Sequence, residues 1–214
     1  MIALLRYDVL KSARDGSLAA FFLLPMLIPV FALLGGTFVH GFHYPLTMEV
    51  RWSPAQNAAM IGTVASVVCP VFALMPAFWA LRAEIETRSV AALAMAARPV
   101  TIVTTVVGFA TLISVAAWIG SIAWIGLLTT ALPNGLPLLA AKVAAGALAA
   151  ASIGVLAVSI SPQPAMIVAA LIACMPLLVG FEKSKGALGL LLPVVFAVIC
   201  TAVAGIFVER RCAA

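Results

Sequence analysis

The distribution of charge along this chain constrains its fold more than any motif in it. Six stretches, 18–39, 55–81, 99–128, 138–158, 165–181 and 187–208, hold a single charged residue between them, Lys142. A helix needs roughly 20 apolar residues to cross a hydrocarbon core about 30 Å thick. Most of these stretches reach that length. Charged residues make up 9% of the 214-residue chain, against about 25% in a typical soluble domain, and 65% of it is hydrophobic. Mean hydropathy is +1.23. A soluble single-core domain is excluded, as is a disordered chain, which requires low hydrophobicity and high charge. The expected fold is all-α: a polytopic membrane protein of six transmembrane helices, forming a single domain over 1–214.

The charges that do occur sit between the spans. The amino-terminal segment carries Arg6, Asp8, Lys11, Arg14 and Asp15 and is too charged to cross. The apolar run behind it is too long for a cleaved signal peptide and lacks a well-placed small-residue cleavage site. Residues 82–98 form a charged break, 129–137 contain the turn sequence PNGLP, and SISPQP separates the fourth and fifth spans. Glu182, Lys183 and Lys185 lie between the fifth and sixth.

Lysine and arginine counts set orientation. Arg6, Lys11, Arg14, Arg82, Arg88, Arg98, Arg210 and Arg211 fall on one side, and Arg51, Lys142, Lys183 and Lys185 on the other. The richer side is expected to be cytoplasmic, with both termini there, in a bacterial inner membrane. The net charge of +5 is scattered, without the basic, aromatic-interleaved stripe of a nucleic-acid groove, so no nucleic-acid partner is expected.

Two cytoplasmic segments carry the strongest local signals. In residues 1–16, Ile2, Leu5 and Val9 recur at helical spacing with Leu4 beside them, while Arg6, Lys11 and Arg14 take much of the remaining circumference. This is the pattern of a short helix lying in the headgroup plane, though an ordinary charged flank would also orient the first span. The second segment, 82–98, begins with Arg82, Glu84, Glu86 and Arg88, continues through a helix-compatible run containing Leu93, and closes on Arg98-Pro99. Proline suits the first turn of a new helix and disfavours helical geometry in the residue before it, so a corner is expected at Arg98. Glu84 and Glu86 are placed to face a basic partner while Val90, Leu93 and Met95 touch the bilayer or bundle. A plain connecting loop with solvated charges is the simpler alternative.

At these residues the chain resembles the membrane subunits of ABC exporters of the type-2 permease family. Glu86, Arg88, Ser89, Leu93, Pro99, Val100 and Thr101 match the family's loop pattern in order, with Ser89 or Val90 near the place of its usual glycine. The fourth-span sequence ASIGVLAVSIS, with Gly154, Leu156 and Ser159, is also similar. The resemblance implies that 82–98 is a coupling helix seated on a separate ATPase subunit, present in two copies. It further implies that ATP and Mg are held by that partner and that a second permease copy or a related chain completes the pathway. It allows short re-entrant helices around Pro176, Gly180 and Gly186. The haem-exporter membrane subunits of cytochrome c maturation are similar in length and layout.

Other chemistry is sparse. No lysine lies in a GxxxxGK[ST] pattern, so this chain is not expected to bind ATP or to be an enzyme. No serine–histidine pair or paired carboxylates occur within the spans. His40 and His43 sit in the first outer loop, where aromatic and polar interface anchoring is the plainer reading than a metal or haem site. The cysteines, at 69, 174, 200 and 212, have neither disulfide nor zinc spacing. Lys142 either reaches outward to the headgroups or lines a pathway mouth. Small residues along the fourth span, among them Ala145, Gly146, Ala149, Ala150 and Gly154, allow close helix approach. An apolar cargo such as a lipid, hydrophobic peptide or drug-like molecule suits the composition, as does a role without an ATPase, in assembly or scaffolding.

Overall fold

The computed structural model describes residues 54–87, 97–183 and 188–213, together with Lys11, Ala19, Ala20, Phe22–Leu24, Leu27 and Leu93. Most of the first expected span and Arg6, Arg14, His40, His43, Arg88, Lys185 and Gly186 lie outside the described residues. Every element within them is helical: α1 (Pro54–Phe72), α2 (Leu74–Glu86), α3 (Pro99–Thr129), α4 (Leu136–Ile160), α5 (Ala165–Lys183) and α6 (Leu188–Ala213). Four stretches are long and apolar enough to cross a membrane: Gly62–Glu86, Pro99–Leu127, Leu136–Ile160 and Leu188–Cys212. Ala165–Phe181 is a shorter apolar helix.

α1 and α2 are two halves of one rod, broken at Ala73 by two prolines. Pro70 and Pro76 each lack the N–H that would bond four residues back. The Ala73 N–H donates to the Pro70 carbonyl at 3.0 Å, a tightened turn. The neighbouring Cys69 carbonyl accepts from Ser114 Oγ of α3 at 2.7 Å. In lipid, an unsatisfied backbone group is expensive, and a side chain from an adjacent helix is one of the few remedies.

The second half of the rod runs on through Arg82 to Glu86. The charged break expected from Arg82 therefore begins as helix. Charge ends a membrane crossing, but Arg, Ala, Glu and Ile are all tolerable helix residues, so it does not end the helix. α2 is capped at Thr87, whose N–H and Oγ1 both donate to the Ala83 carbonyl, at 3.1 and 2.7 Å. α3 starts where proline dictates. Arg98 is extended (φ −59°, ψ 140°), Pro99 opens the helix, and the Thr101 and Ile102 N–H groups donate to the Arg98 carbonyl at 2.8 and 3.2 Å.

α4 is the central helix. It packs against each of the other five and is the most buried of the four long spans, α6 being the least. Its small residues make this possible. A Cβ at Gly154 would stand 2.6 Å from the Leu74 carbonyl oxygen, so the helix backbone meets the broken rod with no room for a side chain. The main core gathers Leu74, Phe78 and Leu81 of α2 with Val103 and Val106 of α3 and Val155 and Val158 of α4. A second cluster, at the other end, joins Ala65, Cys69, Trp118, Ile122, Ile125 and Val143.

Polar side chains inside the bundle are absorbed locally or across helices. Ser152 Oγ lies 3.1 Å from Thr201 Oγ1, tying α4 to α6, and Trp118 Nε1 donates to Ser66 Oγ at 3.3 Å, tying α3 to α1. Among the described residues, no buried side-chain nitrogen or oxygen lacks a hydrogen-bond partner.

Candidate functional site

The helices alternate in direction, so α2, α4 and α6 end, and α3 and α5 begin, at one end of the bundle. That end collects Lys11, Arg82, Glu84, Glu86, Arg98, Glu209, Arg210 and Arg211. It includes every described member of the two candidate segments read from the sequence.

The last turns of α2 display three charges in two opposite roles. Arg82 Nε donates to Glu86 Oε1 at 2.7 Å, an i,i+4 pair, and its guanidinium lies 4.8 Å from the centre of the Trp79 ring. Trp79 is 44% exposed, so the arginine is laid along an open aromatic face at the helix end. Glu86 is exposed.

Glu84 does the reverse. The expectation that it faces a partner alongside Glu86 is corrected here: Glu84 is 2% exposed. Positions i and i+2 on a helix stand about 200° apart, so the two carboxylates lie on nearly opposite faces of α2, Glu84 on the packed one. The buried one is held by Lys11, whose Nζ donates to Glu84 Oε1 across 73 positions of sequence. A charge taken out of water persists only when paired. The pair thus fastens the amino-terminal segment to the helix that leads into the 82–98 connection. Nothing in the local pattern of either segment signals this contact.

The remaining site residues are simply placed. Leu93 is half-buried, and its carbonyl accepts from the Ala97 N–H at 2.8 Å. Arg98 is exposed at the entry to α3, and Pro99 is half-buried beside it. Arg211, not singled out beyond its charge in the sequence, donates from Nη2 to the Ile160 carbonyl at 2.8 Å and so caps the end of α4. Cys212 and the three buried cysteines are free thiols. Among the described residues no group of three or more His, Cys, Asp or Glu side chains is placed to hold a metal ion.

These features are those of an all-helical chain with several helices able to cross a membrane, compatible with a multi-pass membrane protein. No protein-family model matches the chain, and no curated protein or solved structure matches it.

Proposed function

We propose that this chain is the membrane-spanning permease subunit of an ATP-driven exporter of the ABC type-2 class. In this reading six helices cross a bacterial cytoplasmic membrane, both termini are cytoplasmic, and two permease chains enclose the pathway. ATP and Mg belong to a separate ATPase subunit, two copies of which dock on the connection between α2 and α3. The observation that supports it most is the concentration of charge at one end of an otherwise apolar bundle, on the helix ends flanking that connection.

The buried pair gives this reading a physical route for coupling. A force applied at the end of α2 reaches Lys11 through its pair with Glu84. The break at Ala73 separates this half of the rod from α1 and gives it a place to bend.

The test is co-purification of an ATP-hydrolysing subunit with the tagged chain. Glu86→Lys combined with Arg98→Glu reverses two exposed charges without touching the buried pair. The expected result is loss of the ATPase subunit, with thermal stability of the chain unchanged. Recovery of a folded chain that never carries an ATPase would support an assembly or scaffolding role instead and overturn the proposal.

A further inference from the structure

At the end of the bundle opposite Arg82, helices α1, α4, α5 and α6 leave a cavity of about 20 Å³ between them. Four of the residues around it form two matched pairs, Ser66 with Pro70 on α1 and Gly189 with Pro193 on α6. In each pair the proline stands four positions after its partner, where an ordinary residue would donate its N–H to the partner's carbonyl. Proline has no N–H, so Ser66 and Gly189 each lose their helical donor. A helical carbonyl points along the axis toward the residue four positions on. Each of these two therefore points along the wall that its own residue and its proline form. α1 and α6 run in the same direction, so both carbonyls point toward the same end.

The Cys69 carbonyl, at the same break in α1, shows what a freed carbonyl takes: it accepts from Ser114 Oγ at 2.7 Å. The hydroxyl of Ser66 cannot do the same for its own carbonyl. It donates to the Gly62 carbonyl at 2.7 Å and accepts from Trp118 Nε1 at 3.3 Å. In an apolar bundle a carbonyl without a donor is costly, and ordered water is one of the remedies.

Size and chemistry select the occupant. A water molecule needs about 10–15 Å³ of such space and at least two polar partners, so this cavity has room for one and for nothing larger. Gly146 keeps that room, since a Cβ there would come within 3.3 Å of Pro70 and 3.4 Å of Leu178. Ser66, Pro70, Gly146, Leu178, Gly189 and Pro193 are all buried. Lys142 lines the same cavity, and its charge disfavours a metal cation there. We propose that the cavity is a binding site for a single water molecule, which donates one hydrogen to the Ser66 carbonyl and one to the Gly189 carbonyl. The water ties α1 to α6 where proline has broken both. The site goes beyond the exporter reading and does not depend on it.

Hydroxyl-radical labelling by radiolysis of the full chain in detergent tests this, because radicals made from a bound water oxidise the side chains that touch it. Oxygen uptake is located by peptide mass spectrometry. Pro70, Leu178 and Pro193 are expected to take up oxygen although buried, while Leu74 and Phe78, both 0% exposed in the main core, stay unmodified. Gly146→Ala brings a methyl group into the cavity and should abolish the labelling. Gly108→Ala, whose added methyl meets nothing within 4 Å, should leave it unchanged. No oxygen uptake at Pro70, Leu178 and Pro193 in the wild-type chain overturns the site, whether or not Gly146→Ala folds. Equal uptake at Leu74 and Phe78 also overturns it, since solvent would then pervade the bundle. So does undiminished uptake in a folded Gly146→Ala. After mixing with heavy-oxygen water, label reaching Leu178 as fast as the exposed Leu132 would mean bulk solvent rather than a held molecule, and would equally sink the proposal.

Discussion

A carboxylate that is 2% exposed at the end of an apolar bundle must be neutralised by something, and Lys11 does so from the far end of the sequence. Removing one partner of a buried ion pair costs about 3–5 kcal/mol, whereas an exposed pair is worth about 1 kcal/mol or less. Lys11→Met is therefore expected to lower the stability of the detergent-solubilised chain by about 3 kcal/mol, Lys11 being partly solvated. Glu86→Gln, which breaks only the exposed pair with Arg82, should change it by less than about 1 kcal/mol. Denaturant titration followed by circular dichroism compares the two, and equal effects would remove Lys11–Glu84 from the contacts that hold the fold. The sequence made both segments visible through their charge. It could not show that they meet, because the pattern of 82–98 placed Glu84 beside Glu86 on a face turned to an outside partner. On α2 the two carboxylates stand about 200° apart, on nearly opposite faces, and the packing of the bundle puts Glu84 on the buried one.

At the scale of elements, the close fit of α4 on the broken rod controls the bundle. Two glycines distinguish close approach from mere helix composition. At Gly154 a Cβ would meet the Leu74 carbonyl oxygen at 2.6 Å, while at Gly108 of α3 it would meet nothing within 4 Å. Gly154→Ala should destabilise by about 1–3 kcal/mol, since backbone rather than a pliable side chain must move. Gly108→Ala should instead stabilise by about 0.5–1 kcal/mol, because alanine is the better helix residue and the space is open. Opposite signs of the shift in thermal midpoint check this, and two shifts of the same sign would mean that α4 does not seat on the kink as described. The small-residue pattern of α4 was legible from composition, as was the entry of α3 at Pro99, where local covalent geometry decides. The extension of α2 through Glu86 was not. Apolar run length measures what can lie in lipid, and helical structure is free to continue past it.

At the scale of the molecule, the charge asymmetry seen along the chain becomes an asymmetry of ends. Alternating helices carry Arg82, Arg98, Arg210 and Arg211 to one end and the Asn134–Gly135 turn to the other. The structure fixes which residues share an end; in the proposed reading the excess of lysine and arginine there puts that end in the cytoplasm. Single cysteines at Arg98 and at Asn134, both exposed positions, separate the two questions when the four native cysteines are replaced by alanine. In intact bacterial spheroplasts, a membrane-impermeant maleimide should modify Asn134→Cys and leave Arg98→Cys unreacted until the cells are lysed. Reaction of both in intact cells would mean that α3, the helix between them, does not span the bilayer. Reaction of Arg98→Cys alone would turn the charged end outward, away from any source of ATP. The exporter reading would then fail while the helical packing stood, because the contacts among α2, α4 and α6 are the same in either orientation.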